Sequence, residues 1–207
     1  MVQIAEEKRM PEWAHPVVAV LGGAVTGDRI ELAGRLLEVA DTILIGGGPA
    51  NTFLSVKGGR VGRSETAREK YGLAREILDR AAEKGVKIFL PVNVFAANEM
   101  SPHAKPSLEG AMALFEDKIA MDIGPRTTEL FRSLILTAGT VVWSGPMGVF
   151  ELDAFSSGTK AVMAAVAETR AEKFVCGGGS ARAVRHFGCE GRFRHVLVED
   201  ASFPTYP

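Results

Sequence analysis

Seven short apolar, β-branched runs recur along the chain, at residues 17–21, 42–45, 86–90, 118–122, 140–143, 174–176 and 195–198, most of them closed by glycine or proline. Between them the apolar positions fall into a helical period. Ile30, Ala33, Leu36 and Leu37 follow it, as do Leu73, Ile77, Leu78 and Ala81, then Leu130, Leu134 and Ile135, and later Val162, Val166 and Ala167. The strand runs are almost continuously apolar rather than alternating, the pattern of strands covered on both faces. Strands alternating with helices predict an α/β fold: a doubly wound, mainly parallel sheet with helices on both faces, a Rossmann-like three-layer sandwich.

Residues 1–15 read as a leading arm, 16–200 as one domain and 201–207, with two prolines, as an irregular tail. Residues 98–110, bearing Pro102 and Pro106, read as an exposed loop. No internal repeat or low-complexity segment interrupts the chain.

Glycine placement brings in the chemistry. Leu21-Gly22-Gly23-Ala24 follows the first run, Ile45-Gly46-Gly47-Gly48 the second and Cys176-Gly177-Gly178-Gly179 the sixth, each ahead of a helical pattern. A strand, then glycines, then a helix start lets backbone approach a phosphate closely. In an open parallel sheet such junctions share the edge where ligands bind. Asp122-Ile123-Gly124-Pro125 and Ser144-Gly145-Pro146-Met147-Gly148 belong to the same edge. One glycine pair can be a mere tight turn; three clusters and two Gly-Pro turns together predict a nucleotide or phosphorylated ligand. No cluster continues into Gly-Lys-Ser/Thr, so none is a Walker A loop, and none is a clean G-x-G-x-x-G, which argues against a dinucleotide.

Composition narrows the partners. Of 207 residues, 46% are hydrophobic and 24% charged, and the net charge is −1. No basic face for nucleic acid is expected. Neither Cys176 nor Cys189 lies in a metal-binding spacing, so two reduced thiols and no metal site are expected, with Cys176 buried at the end of its run. The charged start, with Glu6, Glu7, Lys8 and Arg9, does not read as a signal peptide. No stretch of 18 apolar residues occurs, so no membrane partner and a cytoplasmic location are expected. Met1 reads as a natural start.

In order and spacing, these motifs resemble the carboxyl-terminal, nucleotide-binding half of the phosphoglycerate kinase family, a glycolytic family. That half carries Leu-Gly-Gly-Ala-Lys-Val-x-Asp-Lys, Ile-Gly-Gly-Gly-Met-Ala-x-Thr-Phe, Leu-Pro-Val-Asp, Asp-Ile-Gly-Pro-x-Thr, Trp-Asn-Gly-Pro-Met-Gly-Val-Phe-Glu and a Gly-Gly-Gly-Asp helix start. Here the chain reads Leu21-Gly22-Gly23-Ala24-Val25-Thr26-Gly27-Asp28-Arg29, Ile45-Gly46-Gly47-Gly48-Pro49-Ala50-Asn51-Thr52-Phe53, Leu90-Pro91-Val92-Asn93, Asp122-Ile123-Gly124-Pro125-Arg126-Thr127, Trp143-Ser144-Gly145-Pro146-Met147-Gly148-Val149-Phe150-Glu151 and Gly177-Gly178-Gly179-Ser180. The resemblance implies an ATP or ADP site, with Mg²⁺ as the accompanying metal. It implies that adenine meets Gly23, Ala24, Gly47, Gly48 and Met121, that ribose meets Pro146 and Glu151, and that Gly46 belongs to the same nucleotide site. The phosphates would meet Ser144, Gly148, Val149, Gly178, Gly179 and Ser180.

The departures fall on the groups that handle charge. The family's first phosphate-binding lysine is Val25 and its second is Arg29; its magnesium aspartate is Ser180, and its asparagine near the phosphates is Ser144. A glycine beside the base is Ala120, and the family's terminal glycine-rich loop is replaced by Glu199-Asp200-Ala201-Ser202. Phosphoryl transfer depends on positioning and charge neutralisation. Ordinary 3-phosphoglycerate kinase activity is therefore not expected of this chain alone. Arg29 and Arg182 are the candidate replacement cations. Asp28 is expected to cap its helix, ahead of the alternative of holding Arg29, and Asp122 to serve either a structural hydrogen bond or a ligand. His15, His103, His186 and His195 are expected to be structural or solvent-facing. Three readings follow: a nucleotide-binding pseudoenzyme; a repurposed or two-chain kinase, with a separate chain supplying an acceptor-binding domain; and an interaction protein with an empty pocket.

Overall fold

The computed structural model describes residues 13–193 and 195–197. Its strands and α-helices run, in chain order, β1 (Val17–Leu21), α1 (Gly27–Leu36), β2 (Thr42–Ile45), α2 (Gly47–Val56), β3 (Arg60–Val61), α3 (Tyr71–Lys84), β4 (Lys87–Phe89), β5 (Asn93–Ala97), β6 (Ser107–Gly110), β7 (Ala113–Leu114), β8 (Ile119–Ile123), α4 (Pro125–Leu136), β9 (Thr140–Ser144), α5 (Ser157–Glu168), β10 (Glu172–Cys176), α6 (Gly178–His186) and β11 (His195–Leu197).

Six strands form one parallel sheet in the order β11-β10-β9-β1-β2-β4. Every residue of β1, β2 and β9 is buried, as their unbroken apolar pattern requires. Val17, Ala19 and Leu21 point into a core with α1, α2 and α3. Val18 and Val20 point into the opposite core, with α4, α5 and α6. This is the expected three-layer α/β sandwich.

Local chemistry sets the helix ends. Pro125 opens α4, where its missing N–H and fixed φ cost nothing. Gly85, at φ 72°, closes α3 in the left-handed conformation. Asp28 departs from expectation: Thr26 holds the cap position of α1, no side chain caps it, and Asp28 sits in the first turn, placed for the helix dipole.

The run at residues 118–122 also departs. It forms β8, which belongs to a three-stranded antiparallel sheet, β6-β5-β8, and not to the parallel sheet. The cause is the short connection from β4 to β5. A parallel return needs a crossover of a dozen or more residues, and residues 90–92 cannot supply one. β5 therefore leaves the main sheet and pairs antiparallel with its own neighbours. Residues 107–110, expected within an exposed loop, are strand β6, with Leu108 opposite Phe95. A two-stranded parallel pair, β3-β7, completes the smaller region.

Asn93 joins the two regions. Its Oδ1 accepts the Thr127 amide at 3.0 Å, and its carbonyl accepts the Gly124 amide at 2.9 Å and the Thr127 hydroxyl at 2.7 Å. The start of α4 is thereby fixed to β5. Within the leading arm, Trp13 packs on Phe174, ring centroids 5.5 Å apart. The earlier part of the arm, Val198, residues 199–202 and the tail lie outside the described residues.

Candidate functional site

Counting outwards from β1, the main sheet proceeds to β2 and β4 on one side and to β9, β10 and β11 on the other. The strand order reverses between β1 and β9, and ligands of open α/β sheets bind outside the carboxyl ends at such a point. The glycine turns meet there. The amides of Gly22 and Gly23 donate to the carbonyls of Ser144 and Pro146, each at 2.8 Å, and the Gly48 amide donates to the Gly23 carbonyl at 2.9 Å. Gly145 has φ 96°, and a Cβ on it would lie 2.4 Å from the Gly22 backbone. Gly47 has φ 55°, and its Cβ would lie 2.9 Å from the Gly23 nitrogen. A side chain at either position would force the turns apart.

The amides of Gly22, Gly23 and Gly48 are thus used inside the protein, building a floor rather than a phosphate cradle. The third cluster differs. It heads α6, whose first amides have no intrahelical acceptor. Gly179 adjoins the same β9 turn: its Cβ would lie 3.0 Å from Pro146 Cδ.

Above this floor is a cavity of about 510 Å³, within the usual range for small-molecule sites. Gly23, Ala24, Gly47, Gly48, Met121, Pro146, Gly148, Val149, Glu151 and Arg182 line it. Gly46, Ser144, Gly178, Gly179, Ser180 and Arg29 are outside the lining. Gly46 and Ser144 are buried beneath it; Gly178 and Gly179 are half-exposed at the start of α6. Arg29 reaches across β1 and donates to Ser144 Oγ at 2.6 Å, so it braces the turn instead of entering the cavity. Arg182 is exposed and does line it.

Sequence reasoning missed Asn51, Leu54, Pro91, Val94 and Ile123, which line the cavity's buried side, and Arg63, Glu65 and Met100 in its loops. The signal for Asn51 and Leu54 was available, since they follow Gly47 and Gly48 at helical spacing along α2. Val94 was hidden because β5 was not expected.

Asp122 is 3% exposed. Its Oδ2 accepts the Gly158 amide at 2.6 Å and the Ser157 hydroxyl at 3.3 Å, and its Oδ1 accepts the Ile123 amide at 2.9 Å. The carboxyl therefore ties β8 to the start of α5 while lining the cavity. Burial pushes it up to about 7, against the opposing pull of these donors.

The aspartate that the resemblance assigns to magnesium is absent here, which leaves Glu151 at the cavity and the buried Asp122 among the carboxylates of the lining. Mg²⁺ is usually held by one or two carboxylates together with substrate phosphates. Ser180, at the position of the family's aspartate, is fully buried, and its Oγ accepts the Gly145 amide at 2.6 Å. Among the described residues no group of three His, Cys, Asp or Glu could hold a metal ion.

The histidines are structural or solvent-facing where described. His15 Nδ1 meets Asp41 Oδ2 at 2.6 Å on the surface, His103 is exposed, and His186 makes edge contacts with Phe150 and Phe187. The side chain of His195 is outside the described residues. Cys176 is buried and Cys189 half-buried, and no disulfide joins them. No described helix is long and apolar enough to cross a membrane.

Comparisons with known proteins agree with this geometry. The family model described as phosphoglycerate kinase matches residues 4–203. The phosphoglycerate kinase of Desulfosudis oleivorans is 41% identical over 196 residues, covering 95% of this chain and 50% of that protein. That of Pelodictyon phaeoclathratiforme is 43% identical over 192 residues, covering 91% and 48%. The structure of phosphoglycerate kinase from Coxiella burnetii superposes with a TM-score of 0.86 at 38% identity, covering 90% of this chain and 48% of that one. The enzyme from Pyrococcus horikoshii gives 0.75 at 31% identity, covering 89% and 47%. The chain spans about half the length of the curated relatives it matches. It belongs to the phosphoglycerate kinase family and resembles the nucleotide-binding half of that enzyme.

Proposed function

We propose that this chain binds an adenine nucleotide, ATP or ADP, in the cavity between β1, α2, β8 and the β9 turn, and that alone it does not catalyse ordinary phosphorylation of 3-phosphoglycerate. One observation carries the reading. Gly23, Gly47, Gly48 and Pro146, whose turns are bonded to one another, line one cavity together with the apolar Met121 and with Glu151 and Arg182. Such a space suits a planar base, with Glu151 placed for ribose hydroxyls and the head of α6 with Arg182 for phosphates.

The catalytic half of the proposal rests on charge. Val25 stands at the first lysine position, and the Ser180 hydroxyl holds a turn amide. Losing one charge-stabilising donor costs on the order of 10²–10³ in rate, and several together cost more. The family's other half, which would enclose the acceptor and exclude water, is not spanned by this chain.

Thermal unfolding with ATP and ADP, with and without Mg²⁺, tests the proposal. At 100 times Kd, a nucleotide should stabilise the fold by about 2.7 kcal/mol, to the same extent without the metal. Stabilisation by no nucleotide would refute binding. Family-like turnover of ATP and 3-phosphoglycerate would refute the catalytic part.

A second reading, a kinase completed by a separate chain that supplies the acceptor site, is favoured by Arg182, which lines the cavity as a replacement cation. Turnover that appears only on adding an amino-terminal half as a separate chain would select it.

A further inference from the structure

We infer that the outer face of α6, together with the start of α5, is a docking surface for an acidic segment of a partner protein. Arg182, Arg185 and His186 are exposed and stand at i, i+3 and i+4 along α6, so they share one face of the helix. Lys160, in the first turn of α5, joins them. Its Nζ lies 5.1 Å from the centre of the Phe187 ring, and that ring meets His186 edge-on at 4.8 Å. Neither α6 nor the first turn of α5 carries an acidic residue.

Elsewhere, neighbouring elements neutralise one another at the surface. Lys70 meets Glu31 at 2.6 Å, Lys84 meets Glu38 at 2.7 Å and Arg132 meets Glu168 at 2.7 Å. Among the described residues Lys160, Arg182 and Arg185 have no such carboxylate. Helix dipoles account for only part of the cluster. Arg185 and His186 lie in the last turn of α6, where cations are favoured, but Arg182 is in mid-helix and Lys160 is in a first turn, where a cation is disfavoured. The whole chain has a net charge of −1, so the excess is local.

A strip of one sign selects a partner of the other. The cations extend along α6 and onto a second helix, which suits a linear anion better than a single small one. Nucleic acid fits less well, because it needs many phosphate contacts over a broad basic face, and Lys160, Arg182 and Arg185 are the formal cations of this strip. Half-buried Phe187 lies among them and offers an apolar contact that a polypeptide can use and an inorganic polyphosphate cannot. Arg182 also lines the cavity, so the docked segment would lie beside its opening.

Fluorescence anisotropy of the full chain with labelled decaglutamate tests this, in about 0.1 M salt, where charges more than ~10 Å apart are largely screened. Wild type should bind, and Arg185→Glu should weaken binding at least about tenfold, as expected when a charge-assisted contact is reversed. Lys160→Glu, on the other helix, should act in the same direction, so the result does not hang on one variant folding. Lys57→Glu makes the same change of net charge at the exposed end of α2, across the sheet from α5 and α6. It should leave the affinity within about twofold. No binding by wild type, equal losses in Arg185→Glu and Lys57→Glu, or tighter binding of an oligothymidylate of the same length would overturn the inference. None of these outcomes bears on nucleotide binding, which the thermal measurements above test separately.

Discussion

Ser180 Oγ accepts the amide of Gly145 at 2.6 Å, joining the head of α6 to the turn that follows β9. Gly145 in turn lies against the Gly22 backbone. The hydroxyl at the position of the family's metal carboxylate therefore serves the junction of three loops, and both partners are buried.

Ser180→Ala should lower stability by about 1–3 kcal/mol, because it leaves a buried N–H without an acceptor. Urea unfolding at neutral pH measures this. A midpoint unchanged from wild type would show that the bond contributes nothing to the fold.

Asp122 predicts a pH dependence. In the unfolded chain its carboxyl ionises near 3.8, whereas in the fold burial holds the proton up to about 7. Between those values the folded state binds more protons, so stability contributed by this group is lost as pH rises through the window. The slope is about 1.4 kcal/mol per pH unit. Asp122→Asn should flatten it. Stability of the wild type that rises between about pH 4 and 7 by virtue of Asp122 would contradict the assignment.

Arg182 and Arg29 separate by position. Arg182 is exposed at the cavity, so Arg182→Ala should weaken ADP about tenfold, the worth of a charge-assisted contact near solvent, and leave adenosine unaffected. Arg29 braces Ser144 from outside the cavity. Arg29→Ala should lower stability by roughly 1 kcal/mol and weaken ADP and adenosine alike. Titrations with both ligands distinguish the two; loss of ADP alone in Arg29→Ala would place its charge on the phosphates.

Much of this arrangement is legible in the sequence, for physical reasons. Strands buried on both faces announce themselves by unbroken apolar runs, and close backbone packing requires glycine, so Gly22, Gly47 and Gly145 mark the switch point. The smaller antiparallel region was harder to read. β6 reads Ser-Leu-Glu-Gly, too short and mixed to signal a strand, and β8 carries the same apolar pattern as a parallel strand. The clue lay between residues 90 and 118, where no helical period supplies a crossover. The use of the turn amides within the protein, and the bond that occupies Ser180, depend on distances that no pattern of residue types contains.

Calorimetric titration of ADP into the wild type and into Ala120→Leu tests the central claim most directly. Ala120 lines the cavity and is half-buried, so a larger side chain there narrows the slot. The account predicts one ADP per chain without need of Mg²⁺ in the wild type, and affinity weakened at least about thirtyfold in a variant that still folds, as expected of overpacking a fitted site by about 2 kcal/mol. No binding by wild type, or equal affinity in both proteins, would contradict it.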